Sequence, residues 1–335
     1  MTAPKTLLDL LRSRSVVDCD TLDVSVAAEL GPFADCTSNQ AIACSELQEH
    51  RHKELLLKSA TQAKQWAAQF PDISIETLAV ELGMINLSLA ITPHLTGFSH
   101  LQANPYDAYS TPKTIAFAHR IVSLFRLVAP AHDTSRICIK IPATWEGLAA
   151  CRVLETQGIR TLATTLFTLE QAALAAEVGC RYIAPYVNEL KVHFEAGYTD
   201  PTPNIPLCVR AQRYYRTHGV QKTHVLPASL TSVGQVMMLA GADHITVAPG
   251  LLRELARIEV DGETERRFPS MYDDDVLEAE EVPGKMSWLD DEAGWRMGFT
   301  RANGGREEVK IVQAINIFCD MQDTLEALMK PLCAA

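Results

Sequence analysis

The chain reads as one α/β domain, a (β/α)8 TIM barrel with additional helices at its N- and C-terminal ends. Three observations carry that reading. Eight short apolar runs alternate with helix-patterned stretches between Val16 and Pro249, the alternation that builds parallel strands joined by crossover helices. Gly158, Gly179, Gly219 and Gly241 each fall just past a helical stretch and before a strand, where a C-terminal cap is wanted. Eight such units in 335 residues suit a closed barrel better than an open doubly wound sheet.

The opening run MTAPKTLLDLLRSRS spaces its leucines as a short surface helix does, and it lacks the long apolar stretch and cleavage site of a secretory signal. Strand one is 15–19, the next helix 23–30, and strand two 33–36. A long helical pattern from about 45 to 90 leads to strand three at 98–102. Helix 111–127 precedes strand four at 137–141, where β-branched residues flank Lys140. Helix 145–157, strand five at 161–166, helix 169–177 and strand six at 182–185 follow. Helix 206–216, strand seven at 224–227, helix 232–240, strand eight at 244–248 and helix 251–257 complete the alternation. Residues 261–305 break it. Asp273, Asp274, Asp275, Glu278, Glu280 and Glu281, with several Gly and Pro, make this an irregular acidic connection. Helical periodicity returns over 306–330, a terminal helix packed on the barrel, so 1–335 is taken as a single domain.

The net charge of −11 argues against nucleic acid and anionic membranes as partners, since both need a basic surface. It leaves room for a local site for a small anion. No apolar run in the sequence reads as a membrane span. The nine cysteines show neither a CxxC nor a metal-like pairing. Several sit in apolar patterns, where free cysteine behaves as a small buried hydrophobe. The expectation is a soluble cytoplasmic protein in a reducing compartment, with no metal.

In a barrel of this kind the active site lies at the C-terminal ends of the strands, which selects a short list of polar residues. Strand one ends at Asp20, strand two at Thr37 and Asn39, strand three at Gln102. Strand four carries Lys140, strand five Thr164, strand six ends at Tyr186 and strand seven at Ser229. Burial disfavours the charged form of a lysine, and a neutral amine is the form that attacks a carbonyl to make a Schiff base. Each residue also has a plainer explanation. Lys140 could snorkel from an edge strand or belong to an ion pair. Asp20, Thr37 and Asn39 could cap helices, Gln102 could be a satisfied core amide, Thr164 a β-former, and Tyr186 a tethered aromatic at the barrel mouth.

Three runs together resemble the transaldolase family: ICIKIPATWEG from Ile137, GIRTLATTLF from Gly158, and YIAPYVN from Tyr182. The resemblance spans nearly the whole chain. It implies a (β/α)8 barrel whose lysine, here Lys140, forms a Schiff base with a ketose and holds a three-carbon dihydroxyacetone unit, without metal or organic cofactor. It implies Asp20 as the residue that takes the proton when the carbon–carbon bond breaks. Asn39 and Thr37 fall on the substrate-contacting strand-two motif, which normally reads Thr-Asn-Pro and here reads Ser-Asn-Gln. Ser229 is a further substrate anchor, and a homodimer is implied.

Three departures bear on the reaction. Gln102 stands where transaldolases proper carry a glutamate, and Tyr186 where they carry phenylalanine. Gln102 with Tyr186 instead resembles the fructose-6-phosphate aldolase branch, in which the tyrosine hydroxyl does the acid–base work and Thr164 helps hold a water. In the loops that grip substrate phosphate, Glu189 replaces an expected arginine and Thr231 a basic residue. A carboxylate roughly 4 Å from a phosphate would cost about 4 kcal/mol under surface-like screening, with Lys191, His193 and Arg210 as the nearby groups able to restore a cation. The expectation is a Schiff-base transferase or lyase acting on small ketose and aldehyde substrates, with an atypical, unphosphorylated partner. An ordinary pentose-phosphate transaldolase and a non-catalytic barrel are the alternatives.

Overall fold

The computed structural model describes residues 5–273 and 281–334, so Asp274, Asp275, Glu278 and Glu280 lie outside the described residues. Eight parallel strands form one sheet, in the spatial order β7-β6-β5-β4-β3-β2-β1-β8. They are β1 (Val16–Asp20), β2 (Cys36–Thr37), β3 (Ser99–Gln102), β4 (Ile137–Pro142), β5 (Arg160–Leu166), β6 (Tyr182–Pro185), β7 (His224–Val225) and β8 (His244–Val247). The Thr246 N–H donates to the Pro227 carbonyl (3.3 Å) across the seam between β7 and β8, so the barrel is nearly closed. Helices α1 (Leu7–Arg14), α2 (Val24–Leu30), α3 (Gln40–Gln48), α4 (Lys53–Trp66), α5 (Ile75–Ile91), α6 (Thr111–Val128) and α7 (Trp145–Thr156) surround its first half. Helices α8 (Leu169–Glu177), α9 (Ile205–Thr217), α10 (Val233–Met238) and α11 (Pro249–Arg257) surround its second, followed by α12 (Gly262–Arg267), α13 (Glu292–Arg301) and α14 (Arg306–Ala334).

Several expected boundaries shift for identifiable reasons. The single helical stretch expected over 45–90 is three helices, because Asn39 and Ser74 act as N-caps for α3 and α5 and a short 3-10 turn at His50–His52 separates α3 from α4. Residues Ile75–His94 are long and apolar enough to cross a membrane, contrary to the sequence reading, but this stretch is 72% buried inside the protein. Phe33 makes only an isolated bridge to Leu95, which shortens the second strand to two residues. The stretch expected to be irregular after 261 holds α12 and α13, and α13 buries Trp295. The opening helix is more than a surface element, because Leu7, Leu8, Leu10 and Leu11 are all buried. At Gly158 and Gly179 the backbone has φ +81° and +85°, the left-handed caps that glycine makes without steric cost.

Parallel pairing fixes which side chains enter the barrel. Gln102 lies opposite Lys140, Lys140 opposite Leu162, Leu162 opposite Tyr182, and Tyr182 opposite His224. Paired residues project to one face, so this row turns inward together. Nearer the N-terminal ends of the strands the interior is polar, where such barrels ordinarily stack branched aliphatics. His244 Nδ1 lies 2.9 Å from Asp18 Oδ2, and His100 Nε2 lies 2.8 Å from Asp35 Oδ2. The remaining oxygens of the two aspartates accept from the Asp35 and Phe98 backbone N–H groups.

This network makes stability depend on pH. Burial pushes the Asp18 carboxyl up to about 6, more than its bond to His244 pulls it down. His244 is raised as well: burial lowers it, but its hydrogen bond to Asp18 and the charges of Asp18 and Asp35 together outweigh burial. Both groups therefore hold a proton more tightly folded than unfolded. The Asp18 contribution is full below its unfolded value of 3.8 and is lost as pH rises through about 6. The His244 contribution is full below the unfolded value of 6.5 and is lost as pH rises through its raised value. Asp35 acts in the opposite direction: burial raises it, but its bond to His100 and other hydrogen bonds and charges hold it low. That stability is lost only in acid, below the window of interest. Thermal unfolding of the wild type should therefore lose a few degrees more than that of Asp18→Asn between about pH 4 and 8. Identical slopes for the two proteins would contradict this account.

Candidate active site

A cleft of about 310 Å³ opens at the C-terminal ends of the strands, and Asp20, Asn39, Lys140, Tyr186 and Ser229 line it together. Thr37, Gln102 and Thr164 lie behind these residues, each 0–1% exposed.

Every residue of β4 is buried, including Lys140 at 2% exposure. Its Nζ lies 5.9 Å from the centroid of the Tyr186 ring. No carboxylate pairs with this ammonium among the described residues, which removes the ion-pair explanation; the edge-strand one fails because β4 lies between β3 and β5. Tyr186 follows β6, bridges to Ala228, and packs edge-to-face on Phe167 with ring centroids 5.9 Å apart.

Asp20 ends β1 and caps nothing, because Asp23 is the cap of α2. Its Oδ1 accepts from the Thr37 hydroxyl (2.6 Å), which lies 2.6 Å from the Thr246 hydroxyl. With the Thr37 proton given to the carboxylate, Thr246 must donate to Thr37. Two threonines thus orient the aspartate in relay. Thr37 is therefore committed to Asp20, not to the cleft, and Thr246 is a member of the site that strand-end reasoning passed over. Only its inward register on β8, opposite Asp18, could have pointed to it. Asn39 does cap α3, accepting from the Ile42 N–H through Oδ1 (2.9 Å). That leaves its amide N–H groups for the cleft.

Gln102 donates through Nε2 to Gln40 Oε1 (2.7 Å), while Gln102 Oε1 and Thr164 Oγ1 are buried without a partner among the described residues. An unsatisfied buried polar atom costs about 1–3 kcal/mol, so two orphans on the inner wall beside the lysine strand mark a place for a bound oxygen. Ser229 adopts φ +59°, uncommon for a residue with a side chain. Asn188 holds it there by donating its side-chain amide to the Ser229 carbonyl (2.7 Å). The Ser229 hydroxyl faces His193 Nε2 at 3.0 Å.

The far wall corrects the expected charge repulsion. Glu189 is absent from the cleft: its carboxylate accepts from the Tyr198 hydroxyl and from Gln313 Nε2 (2.8 Å) of α14. Thr231 turns to Gln235, and Lys191 sits 3.8 Å over the Tyr198 ring. Arg210 lies on α9 in a groove with Arg213 and Glu281. Of the residues named as possible cations, only His193 reaches the cleft. Its surroundings hold the imidazole below 6.5 by desolvation, against the opposing charge of Asp20, so the ring is neutral at pH 7. Glu46, engaged by Arg51 (2.5 Å) and His52 (2.6 Å), is the other ionisable group on this wall. A phosphate there meets no cation other than Lys140 among the described lining residues.

Residues 17–285 match the family model described as Transaldolase/Fructose-6-phosphate aldolase. Two curated transaldolases, from Yersinia pseudotuberculosis serotype O:3 (strain YPIII) and serotype IB (strain PB1/+), are each 30% identical over 267 residues, covering 78% of this chain and 82% of theirs. Barrel, strand-end site and sequence together define an enzyme of the aldolase and transferase type. The chain belongs to the transaldolase/fructose-6-phosphate aldolase family.

Proposed function

We propose that this enzyme makes or breaks a carbon–carbon bond through a Schiff base on Lys140, using an unphosphorylated ketose or dihydroxyacetone-like donor. The absence of a cation on the described far wall, with His193 held neutral, is the observation that carries the substrate reading. The Lys140 amine adds to the donor ketone, and the resulting carbinolamine loses water to give the imine. Asp20 takes the proton of the hydroxyl beyond the bond to be broken. The electron pair of that bond moves toward the iminium nitrogen, leaving an enamine and a free aldehyde. Protonation and hydrolysis of the enamine release the three-carbon unit; attack of the enamine on a second aldehyde transfers it. Tyr186 exchanges protons through a water held by Gln102 Oε1 and Thr164 Oγ1, and Asn39 and Ser229 hold substrate hydroxyls. The imine nitrogen is the electron sink, so the cycle runs on the protein's own groups.

The second reading, dihydroxyacetone transfer between sugar phosphates, is favoured by identity to named transaldolases over most of their length. The non-catalytic reading leaves the buried, unpaired lysine without a purpose. Nine free cysteines, seven of them buried, support a reducing compartment such as the cytoplasm, and the family supports a homodimer. Turnover of fructose 6-phosphate with erythrose 4-phosphate, set against dihydroxyacetone with glyceraldehyde, separates the two substrate readings. The expected result is a kcat/KM about tenfold higher for the unphosphorylated pair, because a phosphate would give up hydration and meet Glu46 with no cation on the described far wall to offset either cost. A preference for the sugar phosphates would overturn the substrate reading.

A further inference from the structure

We infer that Gln40 is a positioning residue that fixes which end of the Gln102 amide faces the Lys140 site, and so makes that wall an acceptor. The inference rests on the Schiff-base reading above. A glutamine side chain can present either its carbonyl oxygen or its NH2 in nearly the same space, so something must choose for Gln102. The choice begins at the main chain. Gln40 Nε2 lies 3.2 Å from the Ala103 carbonyl oxygen and 3.5 Å from that of Gln102. Both are acceptors only, so the Gln40 NH2 must face them, and its Oε1 must face the other way. That oxygen lies 2.7 Å from Gln102 Nε2. Two oxygens there would repel, so Gln102 turns its NH2 toward Gln40 and its Oε1 away.

The result is a buried acceptor with no partner among the described residues, on a residue paired in register with Lys140. The other orphan, Thr164 Oγ1, belongs to the strand on the opposite side of β4 and pairs with Pro142, two residues beyond Lys140. A water or carbinolamine hydroxyl bound between them would donate one hydrogen to Gln102 Oε1. Its lone pair would then be free to approach the imine carbon. With the amide reversed, the NH2 would donate to that oxygen and take one of its two lone pairs, leaving the other to compete with a donated bond from the Thr164 hydroxyl. Gln40 itself is 1% exposed and does not line the cleft, so it acts only through Gln102. It is the first residue of α3, after the Asn39 cap, a position whose N–H is not needed by the helix and where proline is tolerated.

The test measures imine hydrolysis after dihydroxyacetone loading, followed by borohydride trapping over time. Gln40→Met should slow hydrolysis about tenfold, with the dissociation constant for dihydroxyacetone changed less than twofold. In a Gln102→Glu background the same substitution should cost less than twofold, because a carboxylate offers an oxygen to the site in either orientation. Gln40→Pro removes the amide at a helix position that accepts proline, and it should repeat the result if Gln40→Met does not fold. Equal costs in the two backgrounds, or unchanged hydrolysis in a folded Gln40 variant, would overturn the role of Gln40. Failure of the wild type to be trapped at all would instead overturn the Schiff-base reading.

Discussion

Lys140→Met is expected to abolish borohydride trapping of dihydroxyacetone and all turnover, while leaving the barrel folded. The substitution keeps an unbranched chain of similar length in a strand that is buried throughout. It also removes a buried polar head that no carboxylate pairs with among the described residues, so stability should hold or rise. Covalent catalysis through this amine has no substitute, because the cleft contains no second lysine among its described residues. The measurements are intact mass after reduction and thermal melting on the same sample. A labelled adduct on the variant would place the nucleophile elsewhere, whatever the activity.

Asp20→Asn should lower the rate of carbon–carbon cleavage by about 10²–10⁴, the usual range for a positioned general base, while imine formation persists. The distinction follows from geometry. The Thr246–Thr37 relay orients Asp20 Oδ1, and an asparagine carbonyl can accept the same bond, so binding should change little. What disappears is the ability to take up a proton. The variant should therefore accumulate trapped adduct with a cleavable ketose, and single-turnover kinetics would read the block directly. Equal losses in adduct formation and cleavage would show that Asp20 works in building the imine.

Barrel topology was legible because its signals are local: apolar runs of strand length, glycines after helices, and a strand-end rule that picks out polar residues. Lys140, Asp20 and Tyr186 were found this way and meet in one cleft. Pairwise commitments were not legible. Thr37 belongs to a strand-end motif, yet its hydroxyl is taken by a neighbour 17 residues away in sequence. The interior cluster of Asp18, Asp35, His100 and His244 was invisible for the same reason. Each residue sits on a different strand or loop, and only the closed sheet turns them toward one another. The division of residues 45–90 into separate helices was closer to the surface of the sequence, since Ser74 precedes a strongly apolar run and caps it.

The hold that α14 keeps on Glu189 changes how this cleft could be redesigned. Gln313 is 124 positions from Glu189 in sequence, yet it helps keep that carboxylate off the substrate side of the β6 loop. A designer guided by the family resemblance would place an arginine at 189 first and would lengthen a side chain already bound into the helix packing. The open route to a phosphate grip runs through position 193, whose ring touches the cleft and Ser229 directly. A cation placed at 189 alone would enter a position that Tyr198 and the last helix already hold from outside the cleft.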